Sequence, residues 1–242
     1  MPGTLFLIPN TLGETEALAN VLPEQVQRIT AQLDYFVAEN AKTARAFLKL
    51  VNAAHPLAKP LQEIKIAELN VNTPAGALAG LLAPLLAGQD GGLVSEAGVP
   101  AVADPGADLV RLAHQHNIPV RPLVGPSSLL LAVMASGLNG QSFAFNGYLP
   151  TDAAQRATRI KELEQRSRKE KQTQLFIETP YRNAAMLEAL LASCAAGTLV
   201  CVATDLSLPS ETIRTMTAAQ WKKASPPDFH KKPTVFLLLG QP

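Results

Sequence analysis

The stretch LVSEAGVPAVADPGADLVRLAHQH, residues 93–116, joins an aliphatic run to an amphipathic run through a loop rich in special residues. That loop holds Glu96, Asp104, Pro100, Pro105, Gly98 and Gly106. Gly98 allows a backbone geometry and a close approach that a Cβ would block. The two prolines stiffen the turn. Asp104 is predicted to cap a helix starting near Gly106, where its carboxylate would accept from free amides. Gly, Pro and Asp also dominate ordinary turns, so the loop by itself reads equally well as a chain reversal. Glu96 resists that reading, because a carboxylate just past a buried strand is usually paired or functional.

The same strand–loop–helix unit recurs on either side. Strand-like runs fall at 4–8, 35–39, 63–69, 92–96 and 118–124, and helix-like runs at 24–33, 41–52, 75–87 and 106–116. Pro23, Gly88 and the pair Gly91-Gly92 read as helix stops and turns between them. Such alternation predicts an α/β fold with a mainly parallel sheet covered on both faces. After Gly125 the pattern changes. PSSLLLAVMASG (126–137) reads as a buried helix, followed by a strand at 142–147, a polar helix at 152–171 and a strand at 174–178. A helix at 180–195 precedes strands at 198–204, 210–216 and 234–239, whose close succession predicts antiparallel pairing in a mixed sheet. The domain boundary is placed in LVGP, giving an N-terminal domain over 1–124 and a C-terminal domain over 125–242. PPDFHKKP (226–233) reads as a surface loop.

Composition narrows the function classes. Hydrophobic residues make up 47% of 242 residues, enough for a core without metals or disulfides. The two cysteines, Cys194 and Cys201, sit in apolar contexts without CxxC spacing, and the four histidines are scattered, so no metal site is expected. A net charge of +1 supplies no global field for a polyanion, so any nucleic-acid contact must be local. No apolar run reaches the roughly 18 residues of a membrane span. The opening MPGTLFLIPNTLGETEA lacks a leader pattern, which points to a cytoplasmic protein.

A second loop, LVGPSS (123–128), also follows a strand and opens a helix. Its serines could simply cap that helix, or its hydroxyls and amides could hold polar ligand groups. Two such loops beside a domain seam favour a ligand site.

LVSEAGVPAVADPGADLV, PLVGPSS, ASGL, FAFNGYLP and LFIETPYR, in that order, resemble the tetrapyrrole methylase superfamily of S-adenosylmethionine-dependent methyltransferases. Within it, the similarity is greatest to the branch of ribosomal RNA small-subunit methyltransferase I enzymes. The resemblance implies two α/β domains with the cofactor in the cleft between them, S-adenosyl-L-homocysteine as product, an RNA substrate and a homodimer. It implies cofactor contacts at Leu12 and Gly13, at Ala97, Gly98, Val99 and Val102, at Ser127 and Ser128, and at Ile177. It also places Tyr181 and Arg182 on the substrate side. Two segments depart from the branch, Glu39-Asn40-Ala41-Lys42 and ATDLSLPSETI (203–213), and Glu96 stands where the branch commonly has Asp. GxGPGD, typical of porphyrin and corrin branches, is absent from the first loop.

Transfer to a ribose hydroxyl requires a base, and Glu39, Glu96 and Glu178, each at the end of a predicted strand, are the candidates. The helix over 152–171 carries seven cations among three glutamates, a possible phosphate strip but more simply a solvated face with pairs such as Glu164–Arg168. The expected function is methyl transfer from S-adenosylmethionine, with 2′-O-ribose methylation of ribosomal RNA as one form. The alternatives are a methyltransferase on a different small-molecule or protein substrate, and a cofactor-binding protein that has lost catalysis.

Overall fold

The computed structural model describes residues 1–14 and 18–241, so the end of the opening segment MPGTLFLIPNTLGETEA lies outside it. The chain divides into two compact units, Met1–Ser127 and Ser128–Pro242. The division falls within the GPSS turn (125–128), between its two serines, and the sequence reading put it at 124/125. The reason is local: the next helix begins only at Ser128.

The first unit alternates strictly. It contains β1 (Leu5–Ile8), α1 (Glu24–Gln32), β2 (Tyr35–Ala38), α2 (Ala41–Ala54), β3 (Lys65–Glu68), α3 (Leu78–Leu86), β4 (Gly91–Val94), α4 (Ala107–Gln115) and β5 (Val120–Pro122). The five strands form one parallel sheet in the order β3-β2-β4-β1-β5. Alternate strand residues feed two cores, as a doubly covered sheet demands. Phe6, Ile8, Phe36 and Val94 pack with Val26 of α1 and Phe47 and Leu48 of α2. Leu5, Tyr35, Val37 and Leu93 pack with Leu82 of α3 and Leu109 of α4.

One sequence expectation is corrected here. Gly91 and Gly92 are not a turn; both are buried residues of the central strand β4. A Cβ on Gly92 would stand 2.5 Å from Ile8 Cδ1, and one on Gly91 2.9 Å from Tyr35 Cδ1. Missing side chains let the large neighbours Tyr35, Phe36 and Ile8 lie against the strand, a use of glycine that strand pattern alone does not reveal. Gly92→Ala should therefore cost about 1–3 kcal/mol by overpacking, read as a lower urea midpoint at unchanged slope.

The second unit contains α5 (Ser128–Ser136), β6 (Phe143–Tyr148), α6 (Ala153–Glu170), β7 (Thr173–Ile177), α7 (Asn183–Ser193), β8 (Leu199–Thr204), β9 (Thr212–Thr217), α8 (Ala218–Trp221) and β10 (Thr234–Leu239). The sheet order is β6-β7-β10-β8-β9. Only β6 and β7, linked by α6, are parallel; the other pairs are antiparallel. One core joins Ile160 and Leu163 of α6, Met186 and Leu190 of α7 and Trp221 of α8 to Phe176, Val200, Val202 and Phe236. The Glu164 carboxylate is buried under α6, where it accepts from Ala195 N at 2.8 Å and from the Thr198 hydroxyl and also meets Arg168 Nη2 at 3.2 Å. Both cysteines are free and buried, and burial first, then Glu164, pushes the Cys194 thiol up to about 12.

Candidate functional site

Strand order locates the first unit's site. From β1 the chain leaves for α1 on one face of the sheet, whereas from the adjacent β4 it leaves for α4 on the other. Diverging connections open a crevice beyond the carboxyl ends of these two strands, where ligands bind in open α/β sheets. The loops after β1 and β4 are joined across that crevice. Asn10 N donates to Gly98 O at 2.8 Å and Gly98 N to Thr11 O at 3.3 Å. The buried Asn10 side chain donates from Nδ2 to Ser95 O at 3.2 Å and Glu96 O at 3.1 Å, and its Oδ1 accepts from Thr11 N at 2.8 Å. Sequence reasoning missed Asn10. A polar residue one proline beyond a buried first strand was the available signal.

Gly98 has φ +66°, and a Cβ there would lie 3.2 Å from Leu12 Cδ2 and 3.5 Å from Pro126 O. So the segments IPNTLG, EAGVPAV and the start of GPSS, far apart in sequence, meet around one glycine. Left-handed backbone continues at Ala101 (φ 65°), Ala103 (φ 64°) and Gly106 (φ 135°). Such reversals cost energy for alanine, and a chain held in them fixes its peptide groups in one array. Leu12, Gly13 and Val99 are half-buried, and Ala97 and Val102 exposed, beside this array. Ser127 closes the first unit and Ser128 opens α5 of the second. Ile177 ends β7 in the second unit.

The predicted cap at Asp104 is not formed. Gly106 occupies the N-cap position of α4 and no side chain caps the helix. Its φ of +135° carries the chain into the helix by a route that leaves Asp104 in a cluster of acids. Burial raises the Asp104 carboxyl, the Ser95 hydroxyl offsets part of that, and Glu96 raises it further. Glu39, just beyond β2, is likewise held above the ordinary range by burial, then by Asp104 and Glu96. Glu96 Oε1 accepts from the Thr43 hydroxyl at 3.2 Å. The altered segment after β2 keeps its local role, since Asn40 Oδ1 caps α2 by accepting from Lys42 N and Thr43 N.

Of the three candidate bases, Glu39 and Glu96 therefore come together, with Asp104 added. Glu178 belongs to the second unit, and its Oε1 accepts from Thr179 N at 2.7 Å and from Arg182 Nε and Nη2 at 3.0 and 2.6 Å. Tyr181 stands 74% exposed beside that ion pair. Among the described residues, no group of three or more His, Cys, Asp or Glu could hold a metal ion, and no helix is long and apolar enough to cross a membrane.

Comparison with known proteins, more than the fold, sets the enzyme class: an S-adenosylmethionine-dependent methyltransferase, here built from two α/β units. A family model described as Tetrapyrrole (Corrin/Porphyrin) Methylases matches residues 19–221, and the chain belongs to that family. The ribosomal RNA small subunit methyltransferase I of Xylella fastidiosa is 29% identical over 240 residues, 99% of this chain and 82% of the relative. The enzyme of the same name from Mesorhizobium japonicum is 39% identical over 137 residues, 57% of this chain but 45% of the relative. The crystal structure of the methyltransferase CobJ, 17% identical, matches with a TM-score of 0.63 over 98% of this chain and 94% of that one, which bears on the fold.

Proposed function

We propose that this protein methylates a ribose 2′-hydroxyl of small-subunit ribosomal RNA. The observation that carries this reading is the meeting of the three loop segments at Gly98, beside the acidic cluster, in a chain whose relatives are ribosomal RNA methyltransferases. The site fits the methyl donor, because the gap at Gly98 is one a Cβ would fill and the flanking positions pair backbone groups with small apolar side chains. Leu12, Gly13, Ala97, Gly98, Val99, Val102 and Ser127 of the first unit would hold it. S-adenosylmethionine supplies an electrophilic methyl group when bound. The protein's own task is then to align the acceptor, exclude water and take the hydroxyl proton.

For that last role the geometry favours Asp104 and Glu39 over Glu178. Arg182 and the Thr179 amide hold Glu178 Oε1, whereas burial, and then the charge of neighbouring carboxylates, gives the other two a raised proton affinity. The persistence of a carboxylate at 39 within the altered segment speaks against a protein that has lost catalysis. Charge supports an RNA acceptor. Residues 128–242 carry 13 Lys and Arg against nine Asp and Glu, while 1–127 carry eight against 11. Ribose-methylation mapping of ribosomal RNA from a deletion strain tests the reading, with one site expected to lose its methyl group. Unchanged methylation at every site would remove the ribosomal substrate.

We also take the protein to act in the cytoplasm as a homodimer. Leu130 and Met134, one turn apart on α5, are 53% and 78% exposed, an apolar pair that a second copy would cover. Sedimentation should give twice the 25.7 kDa chain mass, and Met134→Glu should shift it toward the monomer. A wild-type protein that stays monomeric at micromolar concentration would end this reading.

A further inference from the structure

The loop PPDFHKKP, read from the sequence as plain surface, is a built element of the second unit. Asn183, buried at the start of α7, donates from Nδ2 to Phe229 O at 2.8 Å, Lys232 O at 2.9 Å and Thr234 Oγ1 at 3.2 Å. Phe229 is buried in the core. The Lys232 ammonium is neutralised by Asp228 at 2.9 Å and Asp205 at 3.6 Å.

Lys231 is treated differently. Its backbone is left-handed, φ 59°, and its amide donates to Pro180 O at 3.3 Å. A non-glycine residue in that region is strained, and the pegged loop holds it there. The side chain is thereby delivered to Tyr181, with Nζ 5.9 Å from the ring centroid. Among the described residues Lys231 makes no ion pair. The Arg182 guanidinium, which the family resemblance placed on the substrate side, is instead engaged by Glu178 and by Thr179 Oγ1 at 3.2 Å. Its place is that of a brace fixing the short helical turn Pro180–Arg182 that presents Tyr181.

We propose that Tyr181 and Lys231 form a clamp for one unpaired RNA nucleotide, the ring stacking on the base and the ammonium meeting a neighbouring phosphate. An exposed aromatic ring with a cation over one face and no carboxylate on that cation leaves the other face for a base and the charge for a phosphate, the pairing that single-stranded nucleic acid uses. The surplus of cations in residues 128–242 favours a polyanion over a peptide as the partner. The clamp rests on the RNA reading above and adds the residues that grip.

The test is fluorescence anisotropy of a short labelled single-stranded oligocytidylate with the full-length protein across a salt series. Calorimetry with S-adenosylhomocysteine runs in parallel. Tyr181→Ala should weaken oligonucleotide binding about tenfold or more, and Tyr181→Phe should leave it unchanged, since stacking needs the ring and not the hydroxyl. Lys231→Ala should reduce the slope of log affinity against log salt by about 0.7, one phosphate's share on a single strand. Both variants alter exposed side chains, so melting temperature and S-adenosylhomocysteine affinity should hold. Wild-type binding with either Ala variant indistinguishable from wild type overturns the clamp alone. A wild-type protein that binds S-adenosylhomocysteine but no oligonucleotide overturns the clamp and the RNA reading together.

Discussion

Replacing Gly98 by valine should weaken S-adenosylhomocysteine binding roughly 100-fold, on the order of 3 kcal/mol, and abolish methyl transfer with it. The position has φ +66°, a region β-branched residues almost never occupy. Even the first added carbon would stand 3.2 Å from Leu12 Cδ2, and the valine methyl groups would reach further into the space ringed by Leu12 and Pro126. Rotating the backbone to relieve this would pull apart the Asn10–Gly98 pairing that joins the loops after β1 and β4. Gly98→Ala should fall between wild type and valine. Titration calorimetry on protein shown to be folded reads the effect directly. Wild-type affinity in a folded Gly98→Val protein would place the methyl donor elsewhere.

The second large effect concerns Asp104, which the sequence reading assigned to a helix cap. Asp104→Asn should lower turnover about 10²- to 10⁴-fold while raising the melting temperature at neutral pH. The opposite signs follow from one cause. Burial and the negative charge of Glu96 raise this carboxyl above its ordinary value, so the folded state holds its proton at pH values where the unfolded chain has released it. Stability contributed by the group is therefore present below the ordinary carboxylate range and is lost as pH rises through the raised value. At neutral pH the ionised group is a net penalty that asparagine removes. The gain in melting temperature should shrink as the pH is lowered and vanish once the wild-type carboxyl is protonated in both states. A cap would give the reverse, with Asn nearly neutral and no pH-dependent gain. An Asp104→Asn enzyme of full activity would return the role of base to Glu39.

These two positions mark what the sequence could reveal and what it could not. Strand and helix periods, set by which side chains face the core, locate nearly every element; the reading of 234–239 coincides with β10. The departures depend on contacts and backbone turns that local propensity does not reveal. Gly91 and Gly92 look like a turn until Tyr35, Phe36 and Ile8 are seen filling the space above them. Asn10 looks like any loop residue until strand order sets it against Ser95 and Glu96. Asp104 sits three residues before the first residue of α4, so local rules make it a cap, and only the turn at Gly106, with its positive φ, removes it from that place. The Glu178 partner of Arg182, and the Pro180 carbonyl that fixes the Lys231 backbone, are likewise visible only in the structure. The resemblance supplied the cofactor segments, and what assembles three of them is the sheet.

The tie between Asn10 and the chain beyond β4 also constrains how the protein is made. Its partners lie 85 and 86 residues downstream, so they do not exist while the first strands are being synthesised. Contacts of such sequence separation close late, after the entropy of a long loop has been given up. A nascent chain halted within α3 would hold β1, β2 and β3 yet lack the Gly98 turn on which the proposed seat of the methyl donor is built, since β4, which separates β1 from β2 in the sheet, would be missing. The ligand therefore cannot template the early steps of folding. It can act only as a lock on a finished sheet, slowing unfolding without hastening the assembly that precedes it.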